Sequence, residues 1–343
     1  MPDAPIFLLG TERSGSNLLR LLLDAHPRIA IPHPPHVVRY FSPLAAGYGD
    51  LADDRNLRAL VGDILRLVRV HINPWGVPLD VERLVREAHP RSVFGVYCAL
   101  QDQYLAHTGK ARWGCKSTFM IDHVEDILAR TPDARLILLV RDPRDVAASS
   151  RRSVFSTFHP WYTARLWRGH QETGLRWAER LAEEGKDNLR ILRYEDLVAA
   201  PEAELRALCD WLGEAFAPEM LRFFEGKEAR QSAALAESWA NTGKPVDAGS
   251  VARFRAELTE RELQLVEREA RGPLRRLGYT TVFDDATLDV AAPGPLERAR
   301  IRAEDARLRA VVELRSLARD RNVGRRWARG AWLSWLELRR GRA

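Results

Sequence analysis

Lysine is scarce in this chain of 343 residues. Lys110, Lys116, Lys186, Lys227 and Lys244 are the only five, and the other 48 of its 53 cations are arginine. Cysteine is scarcer still. Cys98, Cys115 and Cys209 show no CxxC pair and no metal-ligand spacing, which argues against a disulfide scaffold and favours a reducing compartment. No window approaches the roughly 18 consecutive apolar residues of a membrane span. Pro2 and Asp3 stand where a basic leader would begin and the first apolar run stops at Gly10, so no signal peptide is expected. With 45% hydrophobic and 29% charged residues, the expectation is a globular, cytoplasmic protein with one large α/β core and an appendage.

What is present begins at residues 5–27, PIFLLGTERSGSNLLRLLLDAHP. An apolar strand runs into a Gly-bounded polar loop, and apolar residues then recur at helical spacing through Leu18, Leu19, Leu22 and Leu23. Gly10 and Gly15 have the GxxxxG spacing of a nucleotide-binding phosphate loop, but Ser16-Asn17 stands where an NTPase carries Lys-Ser or Lys-Thr. Ordinary magnesium-ATP hydrolysis is therefore poorly supported. The first amides of a helix following such a loop have no intrahelical partner, and with the positive end of the helix dipole they form an anion site. Gly15 lets the backbone approach a phosphate, Ser14, Ser16 and Asn17 add side-chain donors, and Arg13 adds a planar fork suited to oxyanions. The plain alternative is a strand–turn–helix with no ligand.

Further along, ARWGCKST reads as a strand ending at Lys116, ARLILLVRDP as the clearest strand, and NLRILRYEDL as another. Helical patterns cover 51–70, 80–108, 122–130, 160–184 and a stretch from Pro201. Strands alternating with helices imply βαβ units and a parallel sheet covered on both faces. Arg141 closes the LILLV strand and Ser149 follows two helical turns later, so both can converge on one phosphate. Alternatively Arg141 only pairs with Asp142 or Asp145. Together with the first loop, the pattern suggests a ligand with phosphates at both ends.

The segments GTERSGSNLLRLLLDAHP, GCKS, LILLVRDPRDVAASS, RYEDLVAAP and GKPVDAGSVARFR, in this order, resemble the sulfotransferases that use 3′-phosphoadenosine 5′-phosphosulfate (PAPS), the bacterial and tyrosylprotein members above all. The resemblance spans residues 5–279. It implies a P-loop-NTPase-like parallel sheet flanked by helices, with PAPS as co-substrate and no metal. It places the 5′-phosphosulfate in the first loop and the 3′-phosphate on Arg141 and Ser149. Arg13 matches the arginine of the family's loop, Lys116 a lysine on the departing phosphosulfate, and Lys244 a late lysine reaching the cofactor phosphates. Tyr194, in RYEDL, falls at a family motif and is equally readable as a core tyrosine.

The acceptor, a hydroxyl, phenol or amine, needs a base. Tyrosylprotein sulfotransferases carry a glutamate pair shortly after DAHP, whereas this chain reads IPHPPHVV. His33 is favoured as the base, since histidine titrates near neutrality, with His36 as second choice. HPPH is also readable as a rigid loop without a chemical role, or as half of a metal site lacking a third ligand.

Residues 1–290 are read as the catalytic domain, with 43–110 a helical acceptor-side insertion, and 291–343 as an arginine-rich helical tail. From residue 296 onward there are fourteen Arg against six Asp or Glu, a net +8 where the whole chain has +6, so the body is slightly acidic. Ile301, Leu308, Val312 and Leu314 give the tail an apolar face, and Trp327, Trp332 and Trp335 follow among arginines. Three readings stand: a peripheral helix on the inner face of an anionic membrane, a helix docked on the body or on a second subunit, and a solvated helix. No base-reading motif accompanies the charge, so nucleic acid is not expected. Trp161, Tyr162 and Trp167 suggest aromatic surface in 151–175, suited to a small-molecule, glycan or lipid-like acceptor. The competing functions are a P-loop nucleotide kinase or NTPase, and a non-catalytic nucleotide-binding module acting through the tail.

Overall fold

The computed structural model describes residues 3–153, 157–235, 237–320 and 322–341; parts of the 151–175 stretch and of the tail therefore lie outside the described residues. In chain order the elements are β1 (Ile6–Gly10), α1 (Ser16–Asp24), β2 (Ile29–Ala30), α2 (Val37–Phe41), α3 (Asp54–Val70), α4 (Val81–Glu87), α5 (Val93–Thr108), β3 (Arg112–Cys115), α6 (Val124–Arg130), β4 (Arg135–Val140), α7 (Pro143–Ser150), α8 (Pro160–Glu183) and β5 (Leu189–Arg193). There follow α9 (Tyr194–Ala199), α10 (Pro201–Leu212), α11 (Lys227–Leu235), α12 (Phe254–Glu257), α13 (Glu260–Arg276), α14 (Asp285–Val290), α15 (Pro295–Arg319) and α16 (Val323–Arg340).

The five strands form one sheet in the order β2-β3-β1-β4-β5, and every pairing is parallel. Alternation along the central strands shows why both faces are covered. Phe7 and Leu9 of β1, with Leu136, Leu138 and Val140 of β4, enter one apolar cluster that includes α3 and α5. Ile6, Leu8, Ile137 and Leu139 enter another with α1, α9 and α10. A strand whose successive side chains are all buried must be sandwiched between two helical layers. The sheet order changes direction around β1, so the carboxyl ends of β1, β3 and β4 meet beside a crevice where open α/β sheets place ligands.

The 80–108 pattern resolves into α4 and α5. Pro90 breaks the run, and the Ser92 hydroxyl accepts a hydrogen bond from the Gly95 amide at 3.0 Å, capping a new helix. The strand before Lys116 stops at Cys115, which leaves that lysine on the loop beyond the sheet.

The tail is helical and packs on its own body. Trp332, Leu333 and Leu336 of α16 join the core cluster that holds Leu44 and Tyr48, while Ile301 of α15 packs with Trp161 and Leu265. The approach is close enough that a Cβ on Gly47 would overlap the Arg340 carbonyl. Trp327 and Trp335 remain about half exposed, and Leu314 is exposed. Among the described residues no helix is long and apolar enough to cross a membrane.

Candidate active site

The loop between β1 and α1 holds two left-handed residues, Arg13 at φ 69° and Gly15 at φ 91°. Glycine adopts this region freely, whereas arginine needs outside support to stay there. Two contacts from β4 and α7 supply it. Arg13 Nε donates to Ser149 Oγ at 3.2 Å, and the Arg13 carbonyl accepts from Arg141 Nη1 at 3.0 Å. The two anion motifs are thus joined through one residue. Ser14 Oγ in the loop and Asn17 Nδ2 in the first turn of α1 are buried without a hydrogen-bond partner. Buried polar atoms left so are costly, and an oxyanion in the loop would satisfy such donors.

Arg141 also donates to the Ser250 carbonyl at 2.6 Å and lies 4.4 Å over the Tyr194 ring, with its Nε buried and unpartnered. Among the described residues it makes no ion pair with the neighbouring acids, although Asp145 shares its cavity wall and feels its charge. Asp142 caps α7 and pairs with Arg144, and Asp145 accepts the amides of Ala252 and Phe254. The guanidinium therefore stays available to an anion, while Asp145 ties residues 250–254 against α7.

Across the crevice stand the histidines. Both ring nitrogens of His33 are buried with no partner, and its ring lies 4.9 Å from that of His71 and 5.2 Å from that of Trp239. His36 starts α2 from a left-handed backbone and shares a hydrogen bond of 2.9 Å between Nδ1 and Ser117 Oγ. With Nδ1–H donating to that hydroxyl, Nε2 is left as a proton acceptor. Burial, reinforced by His71, Arg20 and Lys116, holds His33 well below its usual 6.5. Burial and then Lys116 do the same for His36. Both rings are therefore neutral at physiological pH, as a base must be.

Lys116 is lowered to about 8, first by burial and then by the charge of Arg20. Arg13 falls to about 10 through burial and the adjacent Arg141. Cations crowded this closely repel each other until an anion arrives between them.

These groups face one cavity of about 1100 Å³. Of the residues expected from sequence, Arg13, Gly15, Ser16, Asn17, His33, His36, Lys116, Arg141, Ser149 and Tyr194 are on its wall. Ser14 is buried in the loop, and Lys244 is exposed and off the wall, although Pro245 and Val246 beside it line the cavity. Tyr194 combines both readings of it, being buried core and cavity wall at once. Among the described residues no group of three or more His, Cys, Asp or Glu is arranged as a metal cluster.

Three contributors escape sequence reasoning. Arg20 is fully buried and donates to Asn17 Oδ1, the Ile31 carbonyl, Glu228 and Ser232; an arginine inside LLRLLL was its one signal. His71 arrives from beyond α3, and Phe119 lies edge-on to His36 at 5.4 Å with the Arg39 guanidinium 3.6 Å over the Phe119 ring. Neither stands in a recognisable pattern.

Comparison with known proteins gives this site a family. The family model for sulfotransferases matches residues 5–218, well over half the chain and every residue of the crevice up to Tyr194. The chain belongs to the sulfotransferase family. Among curated relatives, this sulfotransferase is 27% identical over 357 aligned positions to nodulation protein NoeE of Sinorhizobium fredii, covering 98% of its own length and 74% of that protein. Its fold is shared with the sulfotransferase domain of the Synechococcus PCC 7002 olefin synthase, at 23% identity and a TM-score of 0.54 over 78% of this chain and 94% of that one. The sulfotransferase domain from the curacin biosynthetic pathway is similar at 21% identity and a TM-score of 0.53, over 82% and 99%.

Proposed function

We propose that this sulfotransferase moves the sulfuryl group of PAPS to a hydroxyl, phenol or amine of a small-molecule, glycan or lipid-like acceptor, leaving adenosine 3′,5′-bisphosphate. The observation that supports the reading is the joint between Arg13, Ser149 and Arg141, which brings the two candidate anion motifs into one crevice with Arg141 in no ion pair among the described residues. The loop with Arg13, Ser16 and Asn17 would take the 5′-phosphosulfate. Arg141 and Ser149 would take the 3′-phosphate, with Tyr194 backing the guanidinium.

The transferred sulfur breaks its bond to the phosphate oxygen as the acceptor oxygen or nitrogen bonds to it, and negative charge grows on the leaving phosphate. Positioned cations that are already desolvated stabilise that growth without reorganising. Arg13 and Lys116 serve this role, and losing either should cost on the order of 10²–10³ in rate. His33, whose nitrogens have no other partner, takes the acceptor proton; His36, steadied by Ser117, is the second candidate. Binding the multiply charged donor raises the basicity of both rings by offsetting Lys116 and Arg13.

Calorimetric titration with adenosine 3′,5′-bisphosphate, against ATP with magnesium as control, tests the reading. Tight binding of the bisphosphate that Arg141→Ala weakens supports it. Binding of ATP alone would return the site to a kinase or NTPase.

A further inference from the structure

The tail forms part of the cavity. Besides the crevice residues, its wall includes Arg309, Glu313 and Ser316 of α15 and Arg326, Arg329 and Leu333 of α16. Leu333 is also core, so this wall is fixed to the body and is not a loose flap.

The tail arginines on this wall differ in how their charge is used, and Arg315 among them is exposed to solvent. Arg326 is spent within the hairpin, donating to Glu313 at 2.6 and 2.8 Å and to Ser316 at 2.8 Å. Arg309 stacks 5.4 Å from Phe158 with Asp305 within 3.8 Å. Arg329 has no hydrogen bond or ion pair among the described residues, and its Nε is buried and unpartnered. A half-buried guanidinium on a cavity wall, with no ion pair and a buried Nε left unpartnered, is configured to receive an oxyanion, because a buried donor without a partner is costly. It shares the cavity wall with His36 and His71, and its charge is among the causes, after burial, that lower both rings. The donor site has its own cations at the β1 loop and Arg141, so Arg329 is not needed there.

We propose that Arg329 binds an anionic group (a carboxylate, sulfate or phosphate) carried by the acceptor, orienting the acceptor hydroxyl toward the histidines. The acceptor part of this statement rests on the sulfotransferase reading above; the anion site itself does not. The preferred substrates are then acidic alcohols or phenols, and the arginine-rich tail acts as a specificity element.

The test uses the full chain, since removing α16 would strip Trp332, Leu333 and Leu336 from the core. The fluorescent acid 7-hydroxycoumarin-3-carboxylate and its uncharged parent 7-hydroxycoumarin are titrated separately, with and without saturating adenosine 3′,5′-bisphosphate to occupy the donor cations. The acid should bind about tenfold or more tighter than the parent, as one charge-assisted pair provides. Arg329→Ala should erase that preference, Arg329→Lys should restore part of it, and Arg325→Ala, altering an exposed neighbour off the wall, should leave it unchanged. Absence of acid binding, equal affinity for the two coumarins, or a preference that survives in Arg329→Ala overturns the proposal. Failure of the bisphosphate to bind, with an Arg329-dependent preference intact, would instead count against the donor reading alone. With PAPS supplied, Arg329→Ala should lower kcat/KM for the acid about tenfold or more while the bisphosphate affinity holds.

Discussion

Gly15 and Tyr194 share a space that admits no side chain between them: a Cβ on Gly15 would stand 2.4 Å from Tyr194 Cδ2. The same tyrosine ring carries the Arg141 guanidinium on its face at 4.4 Å. The first loop, the end of β5 and the end of β4 are therefore packed as one unit.

Gly15→Ala should disrupt that unit twice over, by the left-handed φ of 91° and by the overlap with Tyr194. A loss of stability of about 1–3 kcal/mol is expected, with bisphosphate affinity falling as well, and adding Tyr194→Leu to Gly15→Ala, which gives the methyl room, should recover part of the stability. Calorimetry and thermal unfolding on both variants check this.

Arg141→Ala should weaken bisphosphate binding roughly 10- to 100-fold, the worth of a charge-assisted hydrogen bond. Ser149→Ala should cost less, because its hydroxyl mainly steadies Arg13 Nε. An unchanged affinity in Arg141→Ala would remove that residue from the donor site.

His33→Ala and His36→Ala separate the two candidate bases. The variant that loses the base should lose on the order of 10²–10⁴ in kcat with bisphosphate affinity nearly intact. Loss of binding and turnover together would assign that histidine to architecture.

The crowded cations also set a pH dependence. Lys116 titrates near 8 in the free protein, so donor affinity should fall as pH rises past that point, and binding above it should take up a proton. Titrations in buffers of different ionisation enthalpy read the proton count, and Lys116→Arg should flatten the alkaline fall.

Stability should decline on the acid side. His33, His36 and His71 are all held below 6.5 by burial first of all, so below 6.5 the unfolded chain binds protons that the folded one refuses. Stability is full above that value and is lost as pH falls toward 4. A Tm that does not drop between pH 7.5 and 5 would contradict the buried neutral histidines; His71→Gln should lessen the drop.

Much of the site was legible in sequence because each part announces itself locally. A buried strand, a glycine-bounded polar loop and a helix mark the first candidate anion site, and LILLVRDPRDVAAS marks the second. The order of motifs pointed to the family before any geometry. Other parts had no local signature. Arg20 is legible only as an oddity among leucines, and its partners Glu228 and Ser232 lie more than two hundred residues away. Lys244 was placed by motif alone, and the chain leaves it exposed while its neighbours reach the wall. The single 80–108 helix failed at Pro90, where a capping Ser92 starts a second one.

Sequence by itself determined the parallel sheet, its two covered faces and the residue types able to hold oxyanions, since periodicity, glycine and charge act over a few residues. Only tertiary structure decided which charges stay free. Asp142 caps a helix and Asp145 accepts the amides of residues 252 and 254 rather than forming an ion pair with Arg141, and the tail folds back so that Arg329 meets the cavity while Arg326 is consumed by Glu313. Charge is a property of each residue, but its availability depends on which partners the packed core brings within a few ångströms.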